Sequence, residues 1–329
     1  MPSSDEIAGR VLYNHFYAIE RHIDLDLDRY KLNKINYFDK KIKINTNADL
    51  QRIKKLVWNS WSTEIALKYS QSQDKDKFCC ILQWSFPKAY YSVYLLTHAF
   101  YLSLNEQSND HTKIIRIFGE KIKQKNYPKC ISFYIDNTYP RFNKFNLNEI
   151  IHQRKAIDSV RKNSIIEADS QILILLKTTR KKFAEILKNN KQKDKKNAIK
   201  TKKGTIKTKL NNLDWSAIYK KIPITTILSF LYKFRIKSNY EDIKSILNIN
   251  LPNEDSSEFH RDICFIVDYM NFIHEAYLIK SIGIKNYEDI LNTFPKPKLI
   301  KETAKDRFEK FIKPLFNSNN KKITPNITP

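Results

Sequence analysis

The stretch Trp84-Ser-Phe-Pro-Lys-Ala-Tyr-Tyr-Ser-Val-Tyr-Leu-Leu-Thr-His-Ala-Phe-Tyr-Leu-Ser-Leu104 decides the fold class. After Pro87, apolar side chains fall on nearly every face of the helix this run would form: Tyr90, Tyr91, Val93, Tyr94, Leu95, Leu96, Ala99 and Phe100. A helix that is apolar all round has no solvent face and belongs at the centre of a core. Ser85 suits an N-cap there, and Pro87 the first turn, where a missing N–H costs nothing. The expected class is mainly α, an elaborated helical bundle with a lysine-rich insertion and at most minor β.

Working outward, Asp5 to Asp24 reads as an amphipathic helix, and Leu50 to Tyr69 as another with Leu56, Val57, Trp61 and Ile65 on one side. Between them Lys31 to Asn47 is polar and reads as a loop with a short strand. Asp110 is placed to cap a helix through Ile114, Ile115, Ile117 and Phe118, and residues 130–136 are β-prone enough for a pair of short strands. A long helix is expected from Ser164 to Lys188. Residues 188–209 then hold 10 Lys against the single acid Asp194, which supplies +9 of the net charge. Such a run reads as a mobile or solvated linker that contacts phosphates without specificity. Helices resume at Trp215, from Ile222 to Phe234, from Tyr240 to Leu247 and from Ser257 to Ile282, where Gly283 is a natural stop. Tyr287 to Thr293 and Ala304 to Ile312 complete the helical segments before a tail expected to fray. The chain divides into a mixed helical region (1–75), the first part of the bundle (76–187), the lysine-rich segment (188–211), the second part of the bundle (212–293) and a C-terminal helix and tail (294–329).

Composition narrows the function classes. The 329 residues are 41% hydrophobic, enough for one large or two small cores, yet include only 4 Gly. Neither G-x-G-x-x-G nor G-x-x-x-x-G-K-[ST] occurs, which argues against dinucleotide and P-loop enzymes, and no G-x-S-x-G occurs. Cys79, Cys80, Cys130 and Cys264 fit no C-x-x-C and no disulfide framework. No apolar run has the length of a membrane span and no signal-peptide core stands at the start, so a soluble, reduced, cytoplasmic protein without a membrane partner is expected. The net charge of +24 favours polyanions, chiefly nucleic acid, through phosphate neutralisation and counterion release.

Two patterns remain as chemistry. His274-Glu275 begins a zinc-protease H-E-x-x-H, but Leu278 occupies the second ligand position. His260 lies about 21 Å from His274 along a helix axis, too far to share a metal; each is a general-base candidate alone. No metal and no cofactor is expected. Arg235-Ile-Lys-Ser-Asn-Tyr240 places a permanent cation, an amide and a phenol within about one helical turn. A guanidinium holds phosphate bidentately, and a nearby phenol or imidazole can exchange a proton with a ribose 2′-hydroxyl. The structural alternative is an Arg–carboxylate pair at a helix junction, with Tyr240 as packing.

Lys88-Ala-Tyr-Tyr-Ser-Val-Tyr94, followed by His98-Ala-Phe and then His111-Thr-Lys-Ile-Ile-Arg-Ile-Phe118, resembles the central helices of HEPN-domain proteins. The resemblance covers about residues 80–120 and 225–282. It implies an α-helical bundle in which a later helix carries Arg and, a few residues on, His or Tyr. Arg235 with Asn239 and Tyr240 matches that element, while Arg154 and Arg161 are rivals with no His or Tyr at a suitable spacing; residues 145–211 would then be an insertion or extra layer. By that resemblance the chain is an RNA-binding protein, and a metal-independent endoribonuclease of a defence or toxin system. Arg235 would clamp the scissile phosphate, Asn239 orient it, and Tyr240 or His260 exchange the proton, often at a dimer interface. Tyr240 stands where active members carry His, so the alternative is a non-catalytic nucleic-acid-binding or scaffold subunit of a larger defence complex. There Lys195, Lys196, Lys202, Lys203 and Lys207 would do the binding. A helical interaction protein whose charge is incidental is the third reading.

Overall fold

The aromatic-rich stretch forms the second half of a 29-residue helix, α3 (Lys75–Ser103), in a computed structural model that describes residues 4–70, 75–106, 108, 110–136, 165–194, 196, 198–241, 253–295 and 297–317. Tyr90, Val93, Leu96, Ala99 and Phe100 are wholly buried, as a helix without a solvent face requires. The bundle around α3 comprises α1 (Ser4–Asp24), α2 (Leu50–Lys68), α4 (His111–Lys123), α5 (Ile165–Lys193), α6 (Asn212–Tyr219), α7 (Ile227–Ile236) and α8 (Asn253–Ile282); α2, α4, α7 and α8 touch α3 directly, and α6 packs on α5. The outer layer is α9 (Ile284–Asn292), α10 (Lys298–Arg307) and α11 (Lys313–Asn317). The fold is mainly α. Among the described residues the β content is two isolated antiparallel bridges, Ile135 with Thr225 and Lys200 with Ile206, in place of the strand pair expected over 130–136.

Several expected boundaries move, each for a packing reason. Ser85 is not an N-cap, because α3 begins at Lys75; its hydroxyl donates back to the Ile81 carbonyl at 3.0 Å. Pro87 therefore lies inside the helix, where it removes a hydrogen bond. The neighbouring Phe86 offsets this by filling an aromatic cluster with Phe16, Phe234 and Phe259 at ring separations of 5.8, 5.1 and 6.3 Å. The 31–47 loop contains short helical turns at Leu32–Lys34 and Tyr37–Lys41, which bury Tyr37 and Phe38. Gly283 does end α8, with φ +86°, and α9 starts directly after it, three residues before Tyr287. The expected helix over 240–247 is described only at its first two positions, which end a π-helical turn, Lys237–Glu241; its remainder and the rivals Arg154 and Arg161 lie outside the described residues.

The C-terminal segment is anchored rather than frayed as far as Asn317. Phe308, Ile312 and Leu315 are buried, and Arg307 on α10 reaches into the bundle. Its guanidinium donates to Glu64 of α2 at 2.7 and 2.9 Å, to Glu275 of α8 at 2.8 and 2.9 Å, and to Asp268 at 2.8 Å. The lysine-rich segment also departs from a solvated linker. α5 continues to Lys193, and Ile199 and Leu210 pack on a small second core of Ala184, Ile218, Tyr219 and Ile222. Apolar residues spaced among the lysines supply that anchorage. No helix among the described residues is long and apolar enough to cross a membrane.

Candidate functional site

Three elements converge on one partly exposed cluster. α3 contributes Tyr90, Tyr91, Tyr94 and His98, spaced so that they share one side of the helix. α7 contributes Tyr232 and Arg235, one turn apart. α4 begins at His111, and Asp110 fixes that start by accepting the Thr112 N–H at 2.9 Å.

Arg235 is held by its aromatic surroundings. Its Nε and Nη2 both donate to the Tyr91 hydroxyl, at 3.1 and 2.6 Å, across 144 residues of sequence. The guanidinium carbon lies 5.1 Å from the Tyr91 ring centre and 5.7 Å from that of Tyr232, within cation–π range. Two of its five N–H donors are thus spent on Tyr91, whose hydroxyl accepts both.

His111 sits beside it. Its Nδ1 is 2.7 Å from the Tyr90 hydroxyl, and its ring stacks on Tyr232 at 5.8 Å and 19° and lies 4.3 Å from Tyr94. Burial lowers the His111 pKa and the Arg235 charge lowers it further, against a smaller opposing pull from Asp110. His98, deeper along α3, is 5.8 Å from Tyr94. Its Nε2 is buried without a hydrogen-bond partner among the described residues. Burial, then Arg52 of α2 and His111, push its pKa down to about 4. The cluster therefore combines one fixed cation with neutral imidazoles and protonated phenols, since burial also raises Tyr90 and takes Tyr94 up to about 12. Chemically it suits an anion that a guanidinium can grip and an imidazole can serve as base.

Arg235 lies in the cluster. Asn239 follows on a π-helical turn, Lys237–Glu241, and is half-buried, but the described hydrogen bonds of Arg235 go to Tyr91 and not to it. The Tyr240 side chain lies outside the described residues. His260 is not part of the cluster: it is buried on α8, 3.4 Å from Cys264 Sγ, and the backbone at Leu67 and Lys68 faces its ring. Burial lowers its pKa, and its neighbours are Cys264 and the α2 backbone rather than Arg235. His274 is a core residue, its Nδ1 2.7 Å from the Met270 carbonyl and its Nε2 3.2 Å from the Tyr127 hydroxyl.

Of the lysines, Lys202 and Lys203 are exposed at the tip of a turn closed by the Thr201 amide on the Thr205 carbonyl at 2.7 Å. Lys196 is exposed. Lys207 is instead paired with Asp214 at 2.8 Å, and Lys195 lies outside the described residues. His111 and Tyr91 are the partners that sequence reasoning missed. The signal available for them was the Asp110 cap preceding His111 and the Tyr90-Tyr91 pair, but nothing local links either to Arg235. No protein-family model, no curated protein and no solved structure matches this chain.

Proposed function

We propose that this chain is an HEPN-like RNA-binding protein whose Arg235–Tyr91–His111 cluster receives a backbone phosphate and acts as a metal-independent endoribonuclease centre in a defence or toxin module. One observation carries the reading: a guanidinium fixed by a phenol lies beside an imidazole that burial and that same guanidinium keep neutral. Arg235 grips the phosphate. In the tautomer whose Nδ1–H donates to Tyr90, His111 Nε2 presents a lone pair and takes the 2′-hydroxyl proton. The 2′-oxygen bonds to phosphorus while the P–O5′ bond breaks, and the Tyr91 O–H supplies the proton to the leaving oxygen. The imidazolium then returns its proton to Tyr91, and the products carry a 2′,3′-cyclic phosphate and a 5′-hydroxyl.

The test is incubation of the purified chain with structured RNA in EDTA, wild type beside Arg235→Ala and His111→Ala, with circular dichroism to establish folding. Wild-type cleavage with cyclic ends should fall by about 100-fold or more in either variant, the usual contribution of a positioned acid–base group. Cleavage unchanged by both substitutions would remove the cluster from the mechanism. The exposed Lys202-Lys203 turn favours a second reading, a non-catalytic RNA-binding or scaffold subunit. Salt-sensitive binding without cleavage, lost in Lys202→Glu/Lys203→Glu and retained in Arg235→Ala, would establish that reading instead.

A further inference from the structure

Tyr232 has two neighbourhoods. Its ring meets Arg235 and His111, and it also lies 6.0 Å from the Phe183 ring, inclined by 38°. Phe183 and Tyr232 both line a partly open cavity of about 270 Å³ between α4, α5 and α7. Its walls include Phe183, Leu187, Ile222 and Tyr232, and its polar groups include Thr112, next to His111, and Asn190 on the exposed side. Ile236, which follows Arg235, also lines it, so the cavity and the cluster are contiguous across α7.

We propose that this cavity is a nucleobase subsite: the base of the nucleotide whose phosphate lies on Arg235 enters it and stacks on Phe183 and Tyr232. The proposal rests on the phosphate-binding reading of the Arg235 cluster and adds the base as a recognised part of the ligand. Three observations favour a base over another occupant. The volume lies below the roughly 300–1,000 Å³ of clefts that take ligands of drug size, which suits one planar ring system rather than a larger body. The walls are apolar and aromatic, and base stacking on such side chains is strong and tolerant of sequence. Exposed Asn190, Thr112 and Lys221 at the margin, with the hydroxyl of buried Ser229, offer both donors and acceptors to the edge of a ring. A purely aliphatic ligand would leave those groups without a role, and would have no reason to lie beside a guanidinium.

The experiment compares binding of the four nucleoside 5′-monophosphates with ribose 5-phosphate, by calorimetry on the full chain, in wild type, Phe183→Leu and Arg235→Lys. Phe183→Leu keeps an apolar side chain and removes the stacking face. Ribose 5-phosphate should bind about tenfold more weakly than the best nucleotide, in line with the stacking of one base. Phe183→Leu should erase that difference and leave ribose 5-phosphate unchanged, whereas Arg235→Lys should weaken both ligands. Equal binding of nucleotide and ribose 5-phosphate, with both still dependent on Arg235, would overturn the base subsite and leave the phosphate reading standing. A base preference that Phe183→Leu does not alter would place the base elsewhere. Failure of every phosphate ligand to bind would overturn the phosphate reading, and the subsite with it.

Discussion

At the residue scale, the histidines divide into one poised near function and several committed to the core. His15 and His274 are buried, and burial pushes their pKa values down to about 3 and about 4, with Lys233 adding to the effect at His15. Both are neutral when folded and titrate near 6.5 when unfolded. The depressed folded value means that the unfolded state takes up the proton first, so stability is full above about pH 6.5 and is lost as pH falls toward 4. Two such groups should cost on the order of 3–4 kcal/mol at pH 5 relative to pH 7.5, read from urea unfolding at the two pH values. A flat profile would show these rings solvated. His111 has the same sign with a different consequence: its lowered pKa keeps it basic at neutral pH, so any Arg235-dependent cleavage should fall on acidification only below the ordinary imidazole range. Arg235 stood out in sequence because a permanent guanidinium at a helix end beside Asn and Tyr is a recognisable anion motif. His111 and Tyr91 were not legible as its partners, because their contact spans elements far apart in sequence and depends on helix packing.

At the element scale, the strength and the limit of sequence reading both appear in α3. Its place at the centre followed from apolar residues on every face, a property of the stretch alone. Its N-terminus did not follow: Ser85 and Pro87 have the chemistry of a helix start, yet a buried aromatic cluster around Phe86 carries the helix through the proline. Tertiary packing overrode a local rule. The lysine-rich segment errs the other way, since composition hides the packing of Ile199 and Leu210 onto α5 and α6. α4 shows how tight such packing becomes. A Cβ on Gly119 would lie 2.9 Å from Ile224 Cβ and 3.0 Å from the Ile224 carbonyl oxygen, on the backbone next to the Ile135–Thr225 bridge. Gly119→Ala would ordinarily favour a helix, but here it should destabilise by about 1–3 kcal/mol through overpacking, seen as a lowered Tm. A raised Tm would mean that the residues around Ile224 yield.

At the scale of the whole molecule, charge plays opposite roles inside and out. Inside, Arg307 compensates Glu64 and Glu275, both buried; burial opposes ionisation of each, yet Arg307 and Lys68 hold Glu64 below the usual carboxylate range, while burial prevails at Glu275 and raises it. Arg307→Met would leave buried Glu275 without a cation and Glu64 with Lys68 alone, and should destabilise by about 3–5 kcal/mol. Adding Glu64→Gln and Glu275→Gln should recover part of that loss in chemical denaturation; no recovery would mean that the side chain acts through packing alone. Outside, the net +24 acts as a field rather than a set of contacts. If RNA lies along the surface from the Arg235 cluster to the Lys202-Lys203 turn, its affinity should fall linearly with salt on logarithmic axes. Each lysine that touches phosphate on a single strand contributes about 0.7 to that slope. Lys202→Glu/Lys203→Glu should therefore lower the slope by about 1.4 and weaken all RNA sequences alike. Arg235→Lys should instead reduce affinity at every salt concentration while changing the slope little, because it keeps its charge and loses the bidentate geometry. Identical slopes in wild type and the lysine variant would confine RNA to the cluster and exclude the turn from the binding surface.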